Sequence, residues 1–410
     1  MKKNFLFVSL LGLILNTCID PYVLNLNKYE SLLVVDGLIT DEAVPYTIKL
    51  SRTFKDQDTL PTMVSNAEVS VKDDYGNIAI FQEWRKGIYH SYPDNFIGKI
   101  GETYTLHIKT NDGLEYESEP CLMTGVPGID SIYYTLDKEL FNNGTEEESG
   151  IRIFIDSGNE TTDCKYYRWE FDEVWKFRVP YPVSYVYMGG EDVIPIHIEN
   201  DIGWKYRYSN EVLIHSTKLQ LTNQVNKQAL KFIASSKSDR LRQQYSILVK
   251  QYSISEIEYS YWKSLKQVSE SGGDIFEKQP YFITGNIHSQ NNKNEKILGF
   301  FQVSAVKQKR KYITAKELID YDLPFYKYPC LLIKNGPIDY LDPEGQSMGP
   351  LSTFQEIYDD YTGVGYVFVY PLYNDFPPLI LERMAFTTKE CSDSRETGDP
   401  EKPDFWIDHY

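Results

Sequence analysis

Alternation of apolar and polar residues recurs along the chain and predicts a mainly β protein. Leu32 to Val35 is a short apolar run of the kind found in buried strands, and Tyr46 to Leu50 alternates between apolar and polar side chains. Residues 103–109 alternate in the same way before the next turn. Runs of period two, separated by turns at such intervals, are typical of antiparallel sandwiches. The pattern predicts an immunoglobulin-like β-sandwich over residues 31–125.

A second, larger β-rich domain is predicted over residues 126–410. The segment Gly125-Val126-Pro127-Gly128 marks the boundary, because Gly and Pro interrupt regular structure. Residues 180–190, which are rich in Tyr, Pro and Gly, are predicted to form a long loop. Strand patterns recur along most of this domain, at 129–134, 151–155, 166–177, 204–215, 297–306 and 365–370.

Two short helices are predicted within the larger domain. Ser255 with Glu258 has the spacing of a capping box, and apolar residues follow at helical intervals. Gly272-Gly273 is expected to end this helix. Thr314 with Glu317 has the same spacing and predicts a second, shorter helix. The larger domain is therefore expected to be β-rich with one or two short helices.

The first 30 residues predict an exported, lipid-anchored protein. Lys2 and Lys3 precede an apolar run from Phe5 to Leu15, which is far shorter than the roughly 20 residues of a membrane-spanning helix. Leu15-Asn16-Thr17-Cys18 follows and resembles a lipobox, in which the chain is cut before an acylated cysteine. We therefore predict a signal peptide over 1–17, lipidation of Cys18 and a tether over 18–30. The alternative is an ordinary secreted protein in which Cys18 is incidental.

Composition narrows the range of partners. The chain has a formal net charge of -17 and contains 33 tyrosines. Tyrosine favours pleated, half-buried surfaces, which agrees with a sheet-rich fold. The acidic balance argues against a nucleic-acid partner, because phosphate contacts require clustered Lys and Arg. It also argues against electrostatic docking on an anionic membrane, so membrane attachment is expected through the acyl anchor.

Four further cysteines are widely spaced, at Cys121, Cys164, Cys330 and Cys391. In an oxidising compartment they could form bridges, with three possible connectivities. Their spacing excludes a zinc ribbon and a redox Cys-x-x-Cys motif. The sequence alone leaves the pairing open.

Aromatic residues are concentrated around the predicted loop. They flank Pro and Gly in what reads as a long connection, and long loops often carry binding sites. Exposed rings could stack on sugars or anchor a protein partner. In the alternative interpretation the rings pack the loop onto its own domain. The candidate ligand- or partner-binding residues are Trp175, Tyr181, Tyr185 and Tyr187, together with Phe177.

Motifs for catalysis and metal binding are not convincing. Gly345-Gln346-Ser347-Met348-Gly349 has the letters of a nucleophile elbow, but the prolines on both sides obstruct the required strand and helix. The six histidines form no close metal-ligand pair. The pairs Asp73-Asp74 and Asp359-Asp360 lack the spacing of an EF-hand, and solvated faces explain them better. We predict no catalytic residue, no metal and no cofactor.

Taken in order, several segments resemble the domain-of-unknown-function 4249 family of Bacteroidota lipoproteins across nearly the whole mature chain. The segments are 33–37, 50–53, 129–132, 245–255, Tyr261-Trp262, Ile275-Phe276, Gln279-Pro280, Gly285-Asn286-Ile287, Leu298-Gly299-Phe300-Phe301 and 402–406. The resemblance implies an outer-membrane lipoprotein, often found beside TonB-dependent receptors, and it supplies no catalytic residues. Relatives tend to carry cysteines where Gly203 and Ser394 stand here, so a disulfide of the family is expected to be missing.

Three functions are weighed in order. The first is a non-enzymatic outer-membrane lipoprotein, facing the periplasm or the cell surface, that serves as accessory or binding partner of a TonB-dependent receptor in nutrient uptake. The second is a stand-alone glycan- or nutrient-binding lipoprotein that uses the aromatic loop. The third is an enzyme with a dispersed active site.

Overall fold

A computed structural model describes residues 31–53, 61–92, 96–158, 162–270, 283–337, 339–341, 347–350, 352–375 and 377–409. The predicted signal peptide, Cys18 and the tether lie outside the described residues, as do Gly272 and Gly273. Within the described part, strands far outnumber helices, so the mainly β fold is confirmed.

The helices are three: α1 (Glu256–Glu270), α2 (Ala315–Leu318) and α3 (Phe354–Gly363), as far as the structure describes the chain. The strands over the same residues are β1 (Leu33–Ile39), β2 (Thr47–Arg52), β3 (Thr62–Met63), β4 (Glu68–Asp73), β5 (Ile78–Arg85), β6 (Ile88–His90), β7 (Thr103–Lys109), β8 (Glu115–Ser118), β9 (Cys121–Leu122), β10 (Ile129–Phe141), β11 (Glu146–Ser157), β12 (Tyr166–Arg178), β13 (Tyr185–Gly189), β14 (Asp192–Pro195), β15 (Ile202–Tyr208), β16 (Leu213–Ser216), β17 (Val225–Ala234), β18 (Gln244–Ser253), β19 (Ile287–Ser289), β20 (Leu298–Val303), β21 (Val306–Thr314), β22 (Ile333–Asn335), β23 (Asp339–Leu341), β24 (Ser347–Pro350), β25 (Tyr366–Tyr373) and β26 (Leu381–Thr388).

The N-terminal strands form one long, strongly curled sheet. Its order is β19-β8-β7-β4-β5-β6-β2-β1-β20, with β3 added on β2 and β9 on β7. The two ends of this order, β19 and β20, follow each other in the chain, so the sheet curls until it is nearly closed. Both strands come from residues beyond 126, and β20 runs parallel to β1. The sheet therefore draws on both predicted domains; the sandwich arrangement and the domain limits stay predictions.

Close backbone approach explains two of the glycines where β20 meets its neighbours. A Cβ on Gly299, whose φ is +92°, would lie 1.8 Å from the Val35 carbonyl oxygen of β1. A Cβ on Gly285 would lie 1.7 Å from the Gly299 carbonyl oxygen. Between them Asn286 fixes the position of β20, because its side chain accepts from Phe301 N at 2.9 Å and donates to Phe301 O at 2.8 Å. These contacts give a physical reason for the glycines and Asn286 in two of the resembling segments.

Replacing Gly299 by alanine is expected to lower the free energy of unfolding by about 2 to 3 kcal/mol, since the added Cβ both clashes and strains a positive φ. Chemical denaturation followed by circular dichroism measures the loss. Gly101→Ala is the matched control, because its φ is +91° and nothing lies within 4 Å of its Cβ position. Equal losses in the two variants would show that the contact with β1 contributes nothing.

The larger part of the chain adds two more sheets on a shared core. A five-stranded sheet has the order β15-β12-β18-β21, with β16 also pairing with β12, and a three-stranded sheet has the order β10-β11-β17. Buried residues of the curled sheet, such as Ile48 and Phe301, belong to the same hydrophobic cluster as Ile153 and Trp169 of these sheets. The main core is thus continuous across residue 126.

A smaller C-terminal cluster packs around a third sheet, β22-β26-β25. The hairpin β13–β14 and helix α3 cover this sheet, so residues 180–190, predicted as a loop, in part form a β-hairpin. The prediction missed this hairpin because Pro180, Pro182 and the glycines dominate its composition. The buried residues of the cluster are Tyr187, Phe354, Ile357, Phe368, Leu381, Met384 and Phe386.

The capping signals were read correctly at two helices and overlooked at the third. The Ser255 hydroxyl accepts from Glu258 N at 3.1 Å before α1. A complete capping box of Thr314 and Glu317 begins α2. Thr353 and Glu356 form an equally complete box before α3, which was not predicted. Its sequence signature, Thr-x-x-Glu before apolar residues, was present.

One disulfide joins Cys330 to Cys391, which settles part of the pairing that the sequence left open. Cys121 and Cys164 are free thiols. The Ser394 hydroxyl donates to the carbonyl of Ile202 at 2.8 Å. Positions 203 and 394 are therefore adjacent, as the implied loss of a family disulfide requires.

Candidate functional site

A cleft of about 940 Å³ opens in the C-terminal part of the chain. It lies between the turn of the hairpin β13–β14, the start of helix α3 and the first residues of β26. Its volume falls within the range of small-molecule sites, which is about 300 to 1,000 Å³. The lining residues are Gly190, Glu191, Asn335, Gly336, Pro337, Ser352, Thr353, Phe354, Gln355, Leu381, Glu382 and Arg383.

The floor of the cleft is apolar and closely packed. Phe354 and Leu381 are buried and belong to the C-terminal hydrophobic cluster. Gly336 allows β22 and β26 to approach, since a Cβ there would lie 2.0 Å from the carbonyl oxygen of Glu382. The Asn335 amide is held by two hydrogen bonds, one to Tyr361 Oη at 3.2 Å and one from Gly336 N at 3.0 Å. The floor is therefore preorganised.

The rim carries charges of both signs. Glu191, Glu382 and Arg383 are exposed, and none of them has an ion-pair partner within the described residues. Gln355 uses its amide nitrogen to bind Asp359 at 3.0 Å, which leaves its carbonyl oxygen as an acceptor. The cleft thus presents a guanidinium donor and several acceptors above an apolar floor. That combination suits a polar organic molecule with both donor and acceptor groups.

Helix α3 begins at the cleft, but its N-terminus is occupied by its own side chains. The Thr353 hydroxyl accepts from Glu356 N at 3.2 Å, and the Glu356 carboxylate accepts from Thr353 N at 2.7 Å. The carboxylate offsets the positive end of the helix dipole. Anion recognition in the cleft would therefore depend on Arg383 rather than on the helix.

The predicted aromatic residues do not form a single exposed surface. Trp175 is 7% exposed, and its Nε1 donates to Asp239 Oδ1 at 2.8 Å while the Arg240 guanidinium lies 4.3 Å from its ring. Phe177 is buried in the main core with Lys205 Nζ 4.3 Å from its ring. Both belong to strand β12 rather than to a loop, because the whole segment pairs with β18.

The tyrosines lie nearer the cleft, at its back. Tyr187 is 8% exposed, stacks on Tyr358 at 4.7 Å and donates to Gly190 O at 3.0 Å. Tyr185 is half-buried beside it. Tyr181 is half-buried elsewhere, with its backbone N bound to Cys391 O at 3.1 Å. For Trp175 and Tyr187 the packing interpretation fits the structure, and a binding role for the four residues stays a prediction.

Sequence reasoning did not find the cleft residues. They come from four segments separated by up to about 190 residues, and each is an ordinary polar or apolar residue in its local context. The capping box at Thr353 was the one usable local signal.

The motifs set aside on sequence grounds have ordinary surroundings. Ser347 starts strand β24, which pairs with β23, so the elbow geometry of strand, sharp turn and helix is not formed there. The Asp73 carboxylate caps a turn by accepting from Tyr75 N and Asn77 N at 3.0 and 2.8 Å. Over the described ranges, no three His, Cys, Asp or Glu side chains are grouped to hold a metal ion.

Comparison with known proteins places the chain in a family. No curated protein matches it. None of the helices in the described residues has the length and apolar character needed to span a membrane. A family profile matches residues 19–310, which cover the curled sheet and reach into β21 but leave most of the cleft outside. The match confirms the resemblance seen in the sequence: the chain belongs to the family described as Domain of unknown function (DUF4249).

Proposed function

We propose that the chain is a non-enzymatic, lipid-anchored outer-membrane protein that works with a TonB-dependent receptor in nutrient uptake and holds a polar nutrient in its C-terminal cleft. The cleft is the observation that carries the binding role. The lipobox-like segment before Cys18 supports the anchor, and the likeness to Bacteroidota lipoproteins supports the receptor partner. The lack of a catalytic motif in the sequence supports a role without turnover.

The rim charges support a ligand rich in hydrogen-bond donors with one acceptor group for Arg383. Two carboxylates and one guanidinium make the described rim acidic overall. A hydroxyl-rich sugar or a short peptide meets this requirement, whereas a polyanion would be repelled. The stand-alone alternative based on the aromatic loop has less support, because Trp175 and Tyr187 are buried.

The receptor partnership is tested by affinity purification. Tagged protein is isolated from detergent-solubilised native outer membranes and analysed by mass spectrometry. We expect one TonB-dependent receptor in near-equal amount. Recovery of the protein alone would overturn the partnership and leave independent ligand binding. A Cys18→Ala variant serves as control, because without acylation it should be lost from the membrane fraction.

The binding role predicts that Arg383→Ala weakens ligand affinity by about 10- to 100-fold, the equivalent of one hydrogen bond to a charged group. Calorimetry with two probes, maltohexaose and a tripeptide, measures the change and separates the two ligand classes. Arg207→Ala is the matched control, since Arg207 is an exposed arginine on β15 and does not line the cleft. Failure of both probes to bind the wild type, or equal affinity in the two variants, would contradict the proposal.

A further inference from the structure

Helix α1 carries a buried carboxyl group on the face that packs against the protein. Glu258 is 2% exposed. Its carboxyl oxygen accepts from Trp262 Nε1 at 3.0 Å, one turn further along the same helix. No cation lies within 4.0 Å of it in the described structure. An ionised carboxylate in such a place lacks the pairing that a buried charge normally requires.

The nearest cation, Arg168 on β12, is already engaged. Its guanidinium donates to Glu170 Oε1 at 2.5 Å and to Gln302 Oε1 at 2.9 Å. It also lies between two rings, 5.0 Å from that of Tyr252 and 4.6 Å from that of Trp262. Glu170 thus balances the charge of Arg168, and ionisation of Glu258 would add an unmatched negative charge.

These side chains meet where the curled sheet joins the five-stranded sheet. Gln302 belongs to β20, the strand that pairs with β1, whereas Arg168 and Tyr252 belong to β12 and β18. Tyr261 of α1 stacks on Phe300 of β20 with ring centroids 5.0 Å apart. Helix α1 therefore covers the junction of the two sheets, and we call its contacts with them the α1 joint.

The charged and titratable groups around Glu258 come from every element of the α1 joint. They are Arg168 and Glu170 on β12, Tyr252 on β18, Cys121 on β9, and Tyr261 on α1 itself. Burial raises the pKa of Cys121 to about 12, so its thiol stays neutral over the physiological range. Glu258 is consequently the group of this set that changes charge near neutral pH.

We propose that Glu258 is a proton-dependent latch: its neutral carboxyl keeps helix α1 packed on the joint, and its ionised form releases the helix. The inference stands apart from the proposed ligand and receptor.

The direction of the pH effect follows from linkage. Burial raises the pKa of Glu258 from 4.5 to about 8, against the opposing effects of Arg168 and of the Trp262 hydrogen bond. A raised pKa means that the packed state holds the proton more tightly than the released state. The full stabilising effect is present below pH 4.5, declines as the pH rises, and is lost once the pH passes about 8. The latch is therefore expected to open in alkaline medium.

Hydrogen exchange of the full mature chain tests the latch. After correction for intrinsic exchange rates, opening of residues 256–270 is expected to increase about 100-fold between pH 6 and pH 9.5 and to level off near pH 9. Exchange in β18 should change little over this range. Glu258→Gln should abolish the pH dependence, whereas Glu256→Gln, on the exposed side of the same helix, should retain it. A flat wild-type profile, or an unchanged profile in Glu258→Gln, would overturn the proposal.

A second variant guards against a folding defect in the first. Trp262→Phe keeps an aromatic ring beside Arg168 but removes the N–H that favours the ionised carboxylate. Its opening midpoint is expected to move to higher pH by about half a unit or more. An unchanged or lower midpoint would count against Glu258 as the titrating group.

Discussion

Replacing Arg240 by methionine is expected to lower the free energy of unfolding by about 3 to 5 kcal/mol, because it leaves a carboxylate buried without a cation. Arg240 Nε donates to Glu173 Oε1 at 2.8 Å, and the hydroxyl of Tyr245 donates to the same oxygen at 3.0 Å. Glu173 is 1% exposed, so water cannot replace the lost partner. Urea unfolding followed by far-ultraviolet circular dichroism measures the change.

The double variant Glu173→Gln, Arg240→Met provides the control. It removes both charges, while the glutamine carbonyl can still accept from Tyr245. Most of the lost stability should return, since neutral groups of similar volume tolerate burial far better than a single charge. A single variant as stable as the wild type would show that Glu173 is solvated or protonated in the folded protein.

Removing the disulfide by Cys330→Ser with Cys391→Ser is expected to destabilise the C-terminal cluster by about 4 kcal/mol. The bond closes a loop between positions 61 residues apart, and closing a loop of that length removes about this much entropy from the unfolded chain. Thermal unfolding with and without a reducing agent measures the effect.

Cys121→Ser separates this effect from a general one, because Cys121 is a free thiol far along the chain from the bond. It should leave the response to the reducing agent unchanged. Loss of β25–β26 structure before the main core unfolds is also expected, since those strands belong to the separate C-terminal cluster. Unfolding of the double variant at the wild-type temperature would contradict the prediction.

Local signals in the sequence predicted much of the fold. Alternation located β7 and the buried strands, because one face of each is buried and the other wet. Capping residues located α1 and α2. Glu258 nevertheless leaves the box and binds Trp262, since residues four apart share a helix face and this face is buried.

Long-range arrangement was out of reach for the same reasoning. Nothing local in Leu298 to Val303 indicates that the strand pairs with β1 rather than with a strand of its own domain. The rim of the cleft joins Glu191 with Arg383 through tertiary packing alone. The aromatic loop failed as a surface because Trp175 alternates inward in a strand longer than its apolar core suggested.

The strand that closes the curled sheet sets an order on folding. Val34 pairs with Leu298, so the chain must be almost three-quarters complete before β1 finds its second neighbour. Until then β1 and β8 are open edges, and such edges recruit other chains. Contacts between positions so distant in sequence also form slowly. A nascent copy would therefore pass through a period in which its N-terminal strands are vulnerable to aggregation, and chaperone protection during synthesis and export would be of most use in that period.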